Sequence, residues 1–186
     1  MRNLAKCLIG AGVACLLTAN AFAQNFTYKT TVIPSGPISV PNLGEVEFLP
    51  TPLATANGSG VGTDIVLANV RVNQDPNTLT AINVPYTVNL TIDGVNTRAI
   101  NFVLGGNLAP GQANTTNTMI SGLPWTFNSG GVDFVVSYIS FTPPGSMTTT
   151  TNGALAAHVL CVPEPGSMAL LGVGLLPMLG LIRRRK

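Results

Sequence analysis

Charge is scarce in this sequence, and most of the positive charge sits at its two ends. Only 9% of the 186 residues are Asp, Glu, Lys or Arg. Six of the nine cations are Arg2, Lys6, Arg183, Arg184, Arg185 and Lys186, which leaves Lys29, Arg71 and Arg98 between Gln24 and Val162. Against these stand Glu45, Glu47, Asp64, Asp75, Asp93 and Asp133, a net of −3. The formal +2 of the whole chain therefore belongs to the terminal segments. Nucleic-acid binding needs clustered basic residues, and the middle of the chain has none.

Histidine is rarer still. His158 is the single one, which excludes a two-histidine metal site. Of three cysteines, Cys7 and Cys15 lie in the N-terminal segment, so the region 24–161 cannot close a disulfide within itself. Cys161 reads as a small residue ending a strand. It stands three positions from His158, which on a strand turns the two side chains to opposite faces and excludes a Cys–His dyad. No nucleophile-elbow pattern occurs. Gly58, Gly60 and Gly62 lack the spacing and the lysine of a phosphate loop. No catalytic set, cofactor site or metal site is expected, and a hydrolase would need His158, a carboxylate and a nucleophile in one pocket.

The N-terminus has a recognisable order. Arg2 and Lys6 precede an apolar stretch from Leu8 to Leu17, and Ala21-Phe22-Ala23 offers small residues before Gln24. This is the pattern of a secretory signal peptide cleaved after Ala23 by signal peptidase. Cys15 makes a poor lipoprotein box, because Gly12 stands where a large aliphatic residue belongs.

The C-terminus has a complementary order. Val162-Pro163-Glu164-Pro165-Gly166 is followed by an apolar run from Met168 to Ile182 and then by Arg183-Arg184-Arg185-Lys186. Two prolines around one carboxylate hold the backbone extended. The run from Gly166 to Ile182 makes a helix of roughly 25 Å, near the short limit for a span, with Pro177 inside it. The four cations act as a stop on the cytoplasmic side. This block resembles the PEP-CTERM sorting signal of Gram-negative bacteria, over about the last 25 residues and nothing upstream. The resemblance implies a protein that crosses the inner membrane and is held there by its tail. It is then processed near Pro163, Glu164 and Pro165 by an exosortase, leaving it at the cell surface or outside. The same signal occurs on some ice-binding proteins, but no regular threonine array of the kind an ice-binding face needs is present here.

Between the two segments, 24–161 is one domain in size. Valine, isoleucine, threonine and aromatic runs alternate with glycine, proline and asparagine clusters, and no 3.6-residue period appears. The pattern predicts strands at about Tyr28–Ile33, Gly44–Phe48, Asp64–Val72, Tyr86–Asp93, Arg98–Leu104, Val132–Phe141 and Leu155–Val162. Turns are expected at 34–37, 57–60, 75–77 and 143–145. Seven or more strands without intervening helices argue for an antiparallel β-sandwich, flanked by a signal helix and a C-terminal transmembrane helix.

Tyr86, Val88, Leu90 and Ile92 share one face, and keeping Ile100, Phe102 and Leu104 on it requires an odd-length loop. Five residues from Asp93 to Thr97 satisfy this, pairing Leu90 with Ile100 and Val88 with Phe102. The near-continuous apolarity of Val132–Phe141 suits a central strand covered on both faces, with Val135, Ile139 and Phe141 on the second.

Four candidate features remain. Glu45 and Glu47 share a strand face, and charges on an edge strand that discourage edge pairing are the simplest account. Asn73, Asp75 and Asn77 alternate oxygens but lack the glycine and distal glutamate of a calcium loop. Trp125 is a candidate for stacking on a sugar ring, weighed against burial in the core. The threonine run Thr148–Thr151 is a candidate for O-glycosylation. Together these favour an exported structural or adhesive protein in an exopolysaccharide or biofilm setting. A cell-surface carbohydrate-binding module comes next and a hydrolase last.

Overall fold

The alternation in the sequence becomes an alternation of burial. In the computed structural model, which describes residues 24–58, 62–147 and 151–162, the chain forms eleven strands. They are β1 (Gln24–Ile33), β2 (Gly36–Val40), β3 (Gly44–Pro50), β4 (Ala54–Gly58), β5 (Thr63–Gln74), β6 (Thr80–Ile92), β7 (Asn96–Ala109), β8 (Gln112–Ser121), β9 (Trp125–Ser129), β10 (Val132–Thr142) and β11 (Gly153–Val162). No helix occurs among the described residues. The expected signal helix and membrane helix fall on 1–23 and 163–186, outside them.

The strands make two antiparallel sheets, ordered β4-β1-β6-β7-β8 and β2-β3-β5-β11-β10-β9. β11 shows the underlying pattern: Leu155, Ala157, Val159 and Cys161 are buried, whereas Ala156, His158 and Leu160 face the other way. Both sheets contribute to one apolar cluster. Aromatic rings bridge it, with Phe26 of β1 against Phe134 of β10 at 5.6 Å, and Phe48 of β3 stacked on Tyr86 of β6 at 3.9 Å.

The β6–β7 loop has an odd length, as burial demands, but it holds three residues and not five. Ile92 pairs with Asn96, Leu90 with Arg98 and Val88 with Ile100. Asp93 and Gly94 both have positive φ, 50° and 72°, which is the backbone of a primed hairpin turn. That tight turn is compatible with the same buried faces, so it displaces the five-residue alternative.

β10 also departs from expectation. It lies second from the edge, between β11 and β9. Ile139 is an extra residue between Tyr138 and Ser140, and it is exposed. The bulge brings Phe141 opposite the buried Leu155, so Phe141 packs on the core side. A one-residue bulge shifts every later side chain to the other face.

Both ends of the described chain leave the domain at the same end. Tyr28 pairs with Ile92, so Gln24 projects past the β6–β7 turn, and Val162 pairs with Asp133 beside the β9–β10 turn. Asp93 ties these pieces together. Its Oδ1 accepts the Thr27 backbone N–H at 2.9 Å, and its Oδ2 accepts the Ser129 hydroxyl at 2.7 Å. One carboxylate thus joins β1 of one sheet to β9 of the other. Asp93→Ala is expected to cost about 2–3 kcal/mol, from charge-assisted bonds and a strained positive φ. Asp93→Asn should lose less, since asparagine accepts hydrogen bonds and tolerates that backbone. Urea midpoints of the two variants decide the ranking.

Candidate functional site

The opposite end, roughly 30 Å away along β11, is built from the loops after β2, β5, β7 and β10. Asp75 organises it: Oδ2 accepts the Gly111 backbone N–H at 3.0 Å and Oδ1 that of Met147 at 3.1 Å. Asn42 joins the group by donating its amide to Thr80 Oγ1 at 2.7 Å. Beside them lies a cleft of about 240 Å³, bordered by Arg71, Asn73, Ser146, Met147, Thr151 and Asn152 among others. Its lining mixes amides, hydroxyls and one guanidinium with Val72 and one thioether.

The paired carboxylates belong to the wall beneath this cleft. β3 is an interior strand, so Glu45 and Glu47 do not guard an edge. Asn73 on the neighbouring β5 donates its amide to Glu45 Oε1 at 2.8 Å and to Glu47 Oε2 at 3.0 Å. Arg71 Nε donates to Glu47 Oε2 at 2.8 Å, and Nη2 reinforces it. The Asn73 amide first, and the Arg71 guanidinium next, hold the Glu47 carboxyl below its ordinary 4.5. A depressed folded-state value stabilises the fold above the unfolded value, and this contribution is lost as the pH falls through the folded one. Glu47→Gln should therefore lower stability in the neutral region, where that contribution is fully present, and flatten the acid limb below about pH 4.5, where variant and parent converge. Thermal melts from pH 2 to 7 test this. Asn73, Asp75 and Asn77 do not converge on one point, since Asn73 serves the glutamates, Asp75 the loops, and the Asn77 N–H the Asn42 carbonyl.

His158 lies on the outer face of β11, away from Cys161. Its Nδ1 is 2.7 Å from Asp64 Oδ1, a partner that strand register supplies and sequence spacing conceals. The ring lies against Gly62, where φ is +80° and the imidazole leaves no room for a Cβ. Asp64, His158 and Ser137 are register neighbours on β5, β11 and β10, and none of them lines the cleft. Trp125 is half-buried at the start of edge strand β9. It is opposite Val136 and 4.5 Å from Phe127, and it is not part of the cleft lining.

At the end where the termini emerge, Gln24 opens β1 and Val162 closes β11. Ala21 and Ala23, the sorting residues Pro163, Glu164 and Pro165, and the stop Arg183–Lys186 lie outside the described residues. Residues 162–186 match the PEP-CTERM protein-sorting motif. No curated protein and no solved structure matches the chain. The PEP-CTERM motif implies an exported protein, anchored in the membrane through its C-terminal segment before an exosortase processes it.

Proposed function

We propose that this chain is an exported surface or extracellular-matrix protein. Its two sheets form a β-sandwich, released by an exosortase and serving a structural or adhesive role in an exopolysaccharide or biofilm setting, without catalysis. The observation that carries this reading is the shared exit of Gln24 and Val162. With both membrane-directed segments at one end, the loop-built end around Asp75 faces away from the membrane. Signal peptidase cleavage before Gln24 suits a chain whose first strand starts there. The experiment is co-sedimentation of the released protein with exopolysaccharide from the host, compared with a host lacking that polymer. Retention in the matrix fraction that disappears with the polymer is the expected result. Release as a freely soluble protein in both hosts removes the structural or adhesive role.

A cell-surface carbohydrate-binding module is the second reading, favoured by the cleft beside Arg71 and Asn73. Amide and hydroxyl groups of this kind suit sugar hydroxyls, and the site for that reading moves from Trp125 to the cleft. A hydrolase built on Asp64 and His158 comes last, because these residues lie apart from the cleft.

A further inference from the structure

Four strands end the two sheets, and they differ in how well they are protected. β2, β4 and β9 have five residues each, and β2 carries Pro37. β8 has ten residues, Gln112–Ser121, with no proline and no charged side chain. Among the described residues no strand pairs with its outer side. Such an edge is a template for another strand, and the usual safeguards of shortness, charge and proline are missing from it. A bulge at Ile120 interrupts only its last turn of the ladder.

The inner face of β8 holds a second anomaly. Thr115 Oγ1 and Asn117 Nδ2 are buried side-chain atoms without a hydrogen-bond partner, whereas Asn117 Oδ1 accepts the Tyr86 hydroxyl at 2.8 Å. Unsatisfied buried polar groups are costly, so a native structure usually supplies a partner for them.

We infer that β8 pairs antiparallel with β8 of a second copy of this chain, about a two-fold axis through Thr116. In antiparallel pairing, opposed residues point to the same face. Continuity of the inner faces therefore restricts the axis to a residue and not to a gap between residues. Centring it on Thr116 sets Thr115 opposite Asn117 of the second copy, and Asn117 opposite that copy's Thr115. The orphaned amide donor of each copy then lies beside the orphaned hydroxyl of the other, on the same face of the joined sheet. On the outer face Thr116 opposes itself and Asn114 opposes Thr118, all three exposed in the single chain. Without charge on the strand, self-pairing brings no like-charge repulsion, and a two-fold contact is self-limiting at the dimer. This complementarity of β8 with itself selects a second copy as the occupant. The inference does not depend on the role proposed for the exported domain.

Cysteine cross-linking of the full chain in its host tests the register. Opposed strand residues have Cα atoms about 4.5–5.5 Å apart, within disulfide range. Thr116→Cys treated with diamide as oxidant should shift to twice the monomer mass on a non-reducing gel. Asn114→Cys alone should not shift, whereas co-expressed Asn114→Cys and Thr118→Cys chains should form the mixed dimer. The parent chain, with its native cysteines, sets the background. A Thr116→Cys chain no more dimeric than the parent, or an Asn114→Cys chain that dimerises as readily, overturns the pairing. Should Thr116→Cys fail to accumulate, the mixed pair decides alone.

Discussion

Replacing Phe134 by alanine is expected to remove about 3–5 kcal/mol of folding stability, the range for truncating a buried phenylalanine. The ring is fully buried in β10 and lies between two others. Phe26 meets it edge-on at 5.6 Å from the other sheet, and Phe127 stacks on it at 5.1 Å from β9. Alanine leaves a hole bounded by both sheets, so neither can collapse into it without disturbing its own ladder. Each aromatic pair contributes about 0.5–1.5 kcal/mol beyond area burial. Domains of this size typically hold about 5–15 kcal/mol in all, so about a fifth or more of the total is at stake. Ile139→Ala on the same strand is the control. Its side chain is exposed on a bulge, and its loss should fall within about 0.5 kcal/mol. Denaturant unfolding of the exported protein measures both. Equal effects at the two positions would mean that the sheets do not share the core through Phe134.

That core is also what made the fold legible in the sequence. The seven strands expected from alternation are β1, β3, β5, β6, β7, β10 and β11, and these are the seven interior strands. The four unexpected ones, β2, β4, β8 and β9, are the four sheet edges. An interior strand must pack beside two neighbours and carries valine, isoleucine and leucine at alternate positions. An edge strand is held on one side and tolerates Ala54-Thr55-Ala56-Asn57-Gly58 or the amide-rich start of β8. Edge strands therefore look like loops in the sequence. The same limit explains Glu45 and Glu47. Charge on a strand suggested an edge, but Asn73 and Arg71 of the adjacent strand absorb it. Which residues face each other across strands is set by register, and register follows from bulges and turns that local patterning does not record. His158 with Asp64, the Asp93 junction and the cleft around Arg71 all depend on it. The terminal segments stood out because they are written in consecutive residues and need no tertiary partner.

For that reason the largest functional effect is expected from one side chain in the tail. Glu164→Ala should abolish exosortase processing, with the unprocessed chain accumulating in the membrane fraction. Its intact mass should include Arg183–Lys186, whereas the wild-type protein outside the cell should end near Pro163–Gly166. Three physical features converge on Glu164. Flanking prolines disfavour helix at this residue on sequence grounds alone. Val162 is still paired with Asp133 in the sheet, which places Glu164 only two residues along the chain from the folded body. And Glu164 is the sole acidic residue after Asp133, so no neighbouring carboxylate substitutes for it. Neutralising Arg183, Arg184, Arg185 and Lys186 together should act differently. It removes the cations expected to act as a cytoplasmic stop and should reduce the membrane-held intermediate while leaving the motif intact. Release of Glu164→Ala at the wild-type rate and mass would show that export ends without recognition of the Pro-Glu-Pro sequence. Accumulation of that variant in the membrane, with its basic stop attached, would place the decision between anchorage and release on a single carboxylate beside β11.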